Sequence, residues 1–63
     1  MNADLQGALN QINKSWKAFE HKGNKMTKAQ VAAVLKYGIS KGYKSTAELS
    51  DKEVDEVIDK IKP

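Results

Sequence analysis

The chain has 63 residues, no cysteine, and eleven lysines against eight carboxylates, a formal charge of +3. That length allows one small domain, which hides only about 60% of its unfolded surface, and the lack of cysteine excludes disulfides and thiolate metal sites. No stretch approaches the ~20 apolar residues of a membrane span. The first lysine, Lys14, follows no signal-peptide pattern, so a cytoplasmic protein is expected.

Leu5, Leu9, Ile12, Trp16 and Phe19 recur in alternating steps of four and three. The spacing predicts a first helix over about 3–21 with one narrow apolar seam. Asn2 is the expected N-cap, with Asp4 favourably set against the helix dipole. Such a seam serves one chain or two, so a monomer and a homodimer are both compatible with it. Gly7 lies off the stripe and costs about 1 kcal/mol relative to alanine in a helix interior. Lys22-Gly23-Asn24-Lys25 is expected to end this helix, with Gly23 or Asn24 in a left-handed cap, and to join two antiparallel helices.

Three hydroxyls then stand three places ahead of Gln or Glu: Thr27 before Gln30, Ser45 before Glu48, and Ser50 before Glu53. Each is a capping box, in which the hydroxyl accepts from the N3 backbone and the longer side chain reaches back to the cap N–H. Met26 with Val31 and Leu49 with Val54 have the spacing of hydrophobic staples. A second helix is therefore expected over 28–41, with Val31, Val34, Leu35 and Ile39 buried. Its end has two readings. Either it continues to Lys41, with Gly42 left-handed and Tyr43 folded back, or it breaks at Tyr37-Gly38. A third helix is expected over 51–62, where Val54, Val57, Ile58 and Ile61 follow the helical period, with an extra turn at 46–49. The fold class is all-α: a small three-helix bundle forming a single domain over 1–63. Its core would join these stripes, from Leu5 to Ile61, with Leu49 beside them.

Charge is unevenly placed. Met1 to Thr46 holds eight lysines against two carboxylates, a local +6; Ala47 to Pro63 holds three against six, a local −3. Every basic residue is lysine, a point charge that lacks arginine's bidentate fork for bases and phosphates.

Catalysis has little to work with. His21, the only histidine, is expected at the end of the first helix, interacting with its dipole. The carboxylates from Asp51 to Asp59 read as a solvated helix face, and no phosphate loop or zinc spacing is present. A non-enzyme with no cofactor and no metal is expected. Leu49 to Ile58 does resemble a helix of calmodulin-type proteins, and Met26-Thr27 with Gln30-Val31 resembles the exit of an EF-hand loop. The turn before it offers His21, Gly23, Lys25 and Gln30 where calcium needs oxygen ligands and a final glutamate, so no calcium site follows.

The segment Lys36 to Lys44 interleaves lysines with two tyrosines and two glycines. Tyr37 lies off the buried stripe of its helix, so Lys36, Tyr37, Lys41, Tyr43 and Lys44 are the expected contacts to a protein partner with an acidic surface. The stretch from Met26 to Leu49 also resembles the helix-turn-helix family: Gln30-Val31-Ala32 in its first helix, Gly38-Ile39-Ser40 in the turn, Lys41 to Leu49 in the recognition helix. That resemblance implies DNA contacts from Lys41, Tyr43, Lys44 and Ser45, to which Lys28 adds a charge. The leading expectation is an accessory or regulatory module that docks onto a protein through its lysine-rich first two helices and the 36–44 segment. DNA binding is the alternative.

Overall fold

Helix starts are set by the capping boxes, all three of which close. The computed structural model describes residues 3–61. Thr27 Oγ1 accepts from the Gln30 N–H at 3.1 Å while Gln30 Oε1 accepts from the Thr27 N–H at 3.0 Å, opening α3 (Lys28–Ser40). Ser50 and Glu53 exchange the same pair at 3.1 and 2.9 Å, opening α4 (Asp51–Ile61). The box at Ser45 and Glu48 starts only a single 3₁₀ turn, Thr46–Glu48.

The end of α3 follows the first of its two readings. Gly42 has φ +82°, its N–H donates to the Ile39 carbonyl at 3.0 Å, and the Tyr43 N–H donates to the Gly38 carbonyl at 2.9 Å. This is a Schellman cap, which satisfies the last carbonyls and turns the chain back over its own helix. There is no break at Tyr37-Gly38.

The continuous helix expected over 3–21 does not form. Asp4 caps α1 (Leu5–Asn10), its Oδ2 accepting from the Gly7 N–H at 2.7 Å; Asn2, the expected cap, lies outside the described residues, as does Pro63. Gln11 leaves the helical region at φ −114°, ψ 30°, and α2 (Ile12–Ser15) follows. The Ser15 hydroxyl donates to the Ala8 carbonyl at 2.8 Å, taking an acceptor that an unbroken helix presents to the Ile12 N–H. A 3₁₀ turn, Trp16–Ala18, completes the arm, and Phe19 is extended.

The expected helix end at Lys22 to Lys25 is a β-hairpin instead. Strands β1 (Glu20–His21) and β2 (Asn24–Lys25) pair antiparallel, with Glu20 opposite Lys25 and His21 opposite Asn24. Lys22 and Gly23 both have positive φ, +53° and +80°. Two left-handed residues in succession make the I′-type turn that matches strand twist, whereas a helix cap needs only one. The chain is therefore mostly helical with a small two-stranded sheet.

Helices α1 and α4 both pack against α3. Leu5, Phe19, Met26, Val31, Val34, Leu35, Val54 and Val57 are buried at the centre, and Leu9, Ile12, Trp16, Ile39, Leu49 and Ile58 pack half-buried around them. Ile61, expected in the core, is 40% exposed, and Met26, expected only as a staple, belongs to it. Gly38 allows the close approach of α1: a Cβ there would stand 2.6 Å from Leu5 Cδ1. The segment before α1 also pairs with the one before the 3₁₀ turn. The Leu5 N–H donates to the Lys44 carbonyl and the Thr46 N–H to the Ala3 carbonyl, each at 2.9 Å. Among the described residues, no helix is long and apolar enough to cross a membrane.

Candidate functional site

The Schellman cap brings Tyr43 back over the end of α3, beside Tyr37, and both meet the first turn of α4. Tyr43 donates its hydroxyl to Glu53 Oε2 at 2.8 Å, and Tyr37 donates to the same oxygen at 3.3 Å. The other oxygen of Glu53 accepts from the Ser50 N–H. These donors hold the Glu53 carboxyl below its usual range, the Ser50 backbone most and the Tyr43 hydroxyl next. In return, the bond to Glu53 pushes the Tyr43 hydroxyl up, while for Tyr37 partial desolvation acts first and the Glu53 charge second. Lys41 Nζ lies 5.9 Å from the centre of the Tyr37 ring, within cation–π range.

Of the residues expected to contact a partner, Tyr37, Lys41 and Tyr43 are thus brought together, and Lys36 and Lys44 adjoin them in the chain. The three lysines are exposed and both tyrosines are half-buried. Lys44 and Ser45 give their backbone N–H groups to Glu48, which lowers the Glu48 carboxyl below its usual range. Ser45 is half-buried and paired with Asp4.

The DNA set is not brought together. Lys28 lies at the opposite end of α3 from Lys41, roughly 20 Å along the helix, and its ammonium donates to Asn13 Oδ1. The recognition helix implied over 41–49 is not formed either. Gly42 ends α3 in the left-handed region, Ser45 is extended at φ −136°, ψ 162°, and only the 3₁₀ turn follows. The next true helix, α4, opens on Asp51 and Glu53, which would repel phosphates.

His21 is not at a helix end. It sits on β1 with its side chain 12% exposed, its Nε2 2.8 Å from Asp55 Oδ1 and its Nδ1 4.0 Å from Asp51 Oδ1. Lys22 Nζ takes the other Asp55 oxygen at 2.6 Å. Lys22 first and His21 second hold the Asp55 carboxyl below its usual range, and Asp55 pushes the Lys22 ammonium up. The cluster pins the hairpin to α4. Beside it lies a cleft of about 280 Å³, floored by Phe19, Met26, Val34 and Leu49 and rimmed by His21 and Asp51. The sequence does place Asp51 and Asp55 on one helical face, four residues apart. Nothing local indicated that His21 would meet them, because that contact depends on the hairpin. Among the described residues, no group of three or more histidine, aspartate or glutamate side chains is placed to hold a metal ion.

No protein-family model, curated protein or solved structure matches this chain.

Proposed function

We propose that this chain is a non-enzymatic accessory or regulatory module that docks a protein partner bearing an acidic surface. Lys36, Tyr37, Lys41, Tyr43 and Lys44 make the contact. One observation carries the reading: both tyrosine hydroxyls end on a single Glu53 oxygen. Rings already fixed in this way lose little freedom on binding, and ordering a free side chain at an interface costs about 0.5–1.5 kcal/mol. The exposed lysines around them supply positive charge that steers and orients an anionic partner.

In this reading the broken N-terminal arm, α3 and α4 act together as a three-helix bundle, working in the cytoplasm as a monomer or a homodimer.

A photo-crosslinking side chain at position 36 tests the surface in cells. We expect one discrete protein adduct that disappears on Lys41→Glu/Lys44→Glu and persists on Lys52→Glu. No adduct at all would sink the reading. Duplex DNA retained at low salt, and lost on reversal of Lys41 and Lys44, would reassign these residues to the DNA-binding alternative.

A further inference from the structure

The end of α3 remote from the tyrosines carries a second charged surface. Lys14 on α2, Lys17 on the 3₁₀ turn and Lys28 at the start of α3 are all exposed. The bond from Lys28 to Asn13 sets α2 beside the start of α3. Trp16 and Lys17 come three and four residues after Asn13, so they share the face that Asn13 turns toward Lys28. Lys14, on α2, lies three residues before Lys17 and is its neighbour on the helix surface. Trp16 is half-buried, with its body against the core.

Among the described residues, none of these three lysines is ion-paired with a carboxylate. No carboxylate occurs between Asp4 and Glu20 in the sequence, and Asp4 is engaged by the Gly7 N–H. Two other nearby lysines differ in this respect: Lys25 faces Glu20 across the hairpin, and Lys22 is paired with Asp55. Lys28 moreover occupies a first-turn position where the helix dipole favours a carboxylate, a preference that α4 obeys with Asp51 and Glu53. Departures from such local rules are expected where a position serves function.

We infer that Trp16, Lys14, Lys17 and Lys28 form a binding surface for single-stranded nucleic acid. The indole offers a face on which a base can stack, and the three ammonium groups meet the flanking phosphates. A nucleotide brings ring and anion in one unit. An acidic protein surface brings the anion without a ring for Trp16. Lysine point charges read no sequence, so binding is tolerant of base identity. This surface and the tyrosine surface lie at opposite ends of α3, and each can fail without the other.

Trp16 is the only tryptophan, so its emission reports on the site directly. A fluorescein-labelled oligo-deoxythymidine strand, titrated with the full chain at low salt, should show a saturable rise in anisotropy together with quenching of Trp16. The log–log slope against salt should be about −2, for roughly three phosphates on a single strand. Lys14→Glu/Lys17→Glu/Lys28→Glu should weaken binding by more than about tenfold, since it reverses every phosphate contact. The matched triple reversal of Lys36, Lys41 and Lys44 should weaken it far less. Trp16→Phe fills the same space with a smaller ring and should weaken it several-fold, with circular dichroism confirming that each variant is folded. Absence of binding at low salt would overturn the inference, as would equal losses from the two triple variants. Polyglutamate that quenches Trp16 and displaces the strand would overturn it in favour of an acidic protein.

Discussion

The half of the molecule from Thr27 to Ile61 and the arm from Ala3 to Ala18 are held in opposite ways. In the C-terminal half, elements begin at capping boxes and α3 ends at a Schellman cap, all bonds reaching five residues or fewer. Apart from the local Asp4 cap, the arm is shaped from farther away: Ser15 reaches Ala8, Lys28 reaches Asn13, Leu5 lies on Gly38, and Ala3 pairs with Thr46. Local bonds fix where a helix starts and stops. An apolar stripe by itself fixes only which side is buried, and the arm keeps its stripe while breaking its helix.

The contrast breaks most readily at Leu5. It is fully buried, so Leu5→Ala should cost about 2–5 kcal/mol, a large share of the stability of any small domain. Gly38→Ala should cost about 1–3 kcal/mol by overpacking, even though alanine is intrinsically the better helix former by about 1 kcal/mol. Leu5 is fully buried, in a core whose side chains are close-packed. Because the clash at Gly38 is with Leu5 itself, the double variant should cost less than the two single costs added together. Urea denaturation measures all three, and strictly additive costs would mean that α1 does not cross α3 there.

A smaller effect is expected where support is local. Thr27→Ala should lose about 1 kcal/mol, with Thr27→Ser recovering most of it, because only the cap bond is removed. A loss as large as that of Leu5→Ala would erase the distinction between the two halves.

The smallest effect is that of pH. Glu48, Glu53 and Asp55 bind protons less readily folded than unfolded, their ordinary values being 4.5, 4.5 and 3.8. Their contribution is fully present above those values and is lost as pH falls through the lowered, folded ones. Lys22, Tyr37 and Tyr43 are raised above ordinary values of 10.5, 10.0 and 10.0. Their contribution is present below those values and disappears as pH rises through the raised ones. Melting temperature should therefore hold level between the two limits and decline beyond each, weakly, because these groups lie near solvent and are screened by salt. Glu53→Gln should flatten both limbs, since it removes one lowered carboxylate, the hydrogen bond that chiefly raises Tyr43 and the charge that adds to desolvation at Tyr37. Unchanged limbs would show that the tyrosine contacts contribute nothing to stability.

What could be read from the chain follows the same division. The starts of α3 and α4, the left-handed Gly42 and most of the core were legible because a few neighbouring residues determine each. The tyrosine segment was legible as a surface feature, but its attachment to Glu53 was not, since that needs α4 folded against α3. The hairpin was missed because its strands have two residues apiece and Lys22 is not a usual occupant of a positive φ. His21 was misplaced along with it. Gly38 was read as one of two places for the helix to end, or as part of a turn. Its lack of a side chain matters only once Leu5 arrives from thirty-three positions away.

The pairing of Ala3–Leu5 with Lys44–Thr46 has a consequence for how the molecule assembles. It closes a ring of about forty residues, and closing so long a loop reduces entropy before any contact there offsets it. Contacts so far apart in sequence slow folding relative to local ones, and here the fully buried Leu5 offsets that cost. The opening stretch of this polypeptide is therefore a clasp, tying the first helix to the chain that leaves the central helix's cap.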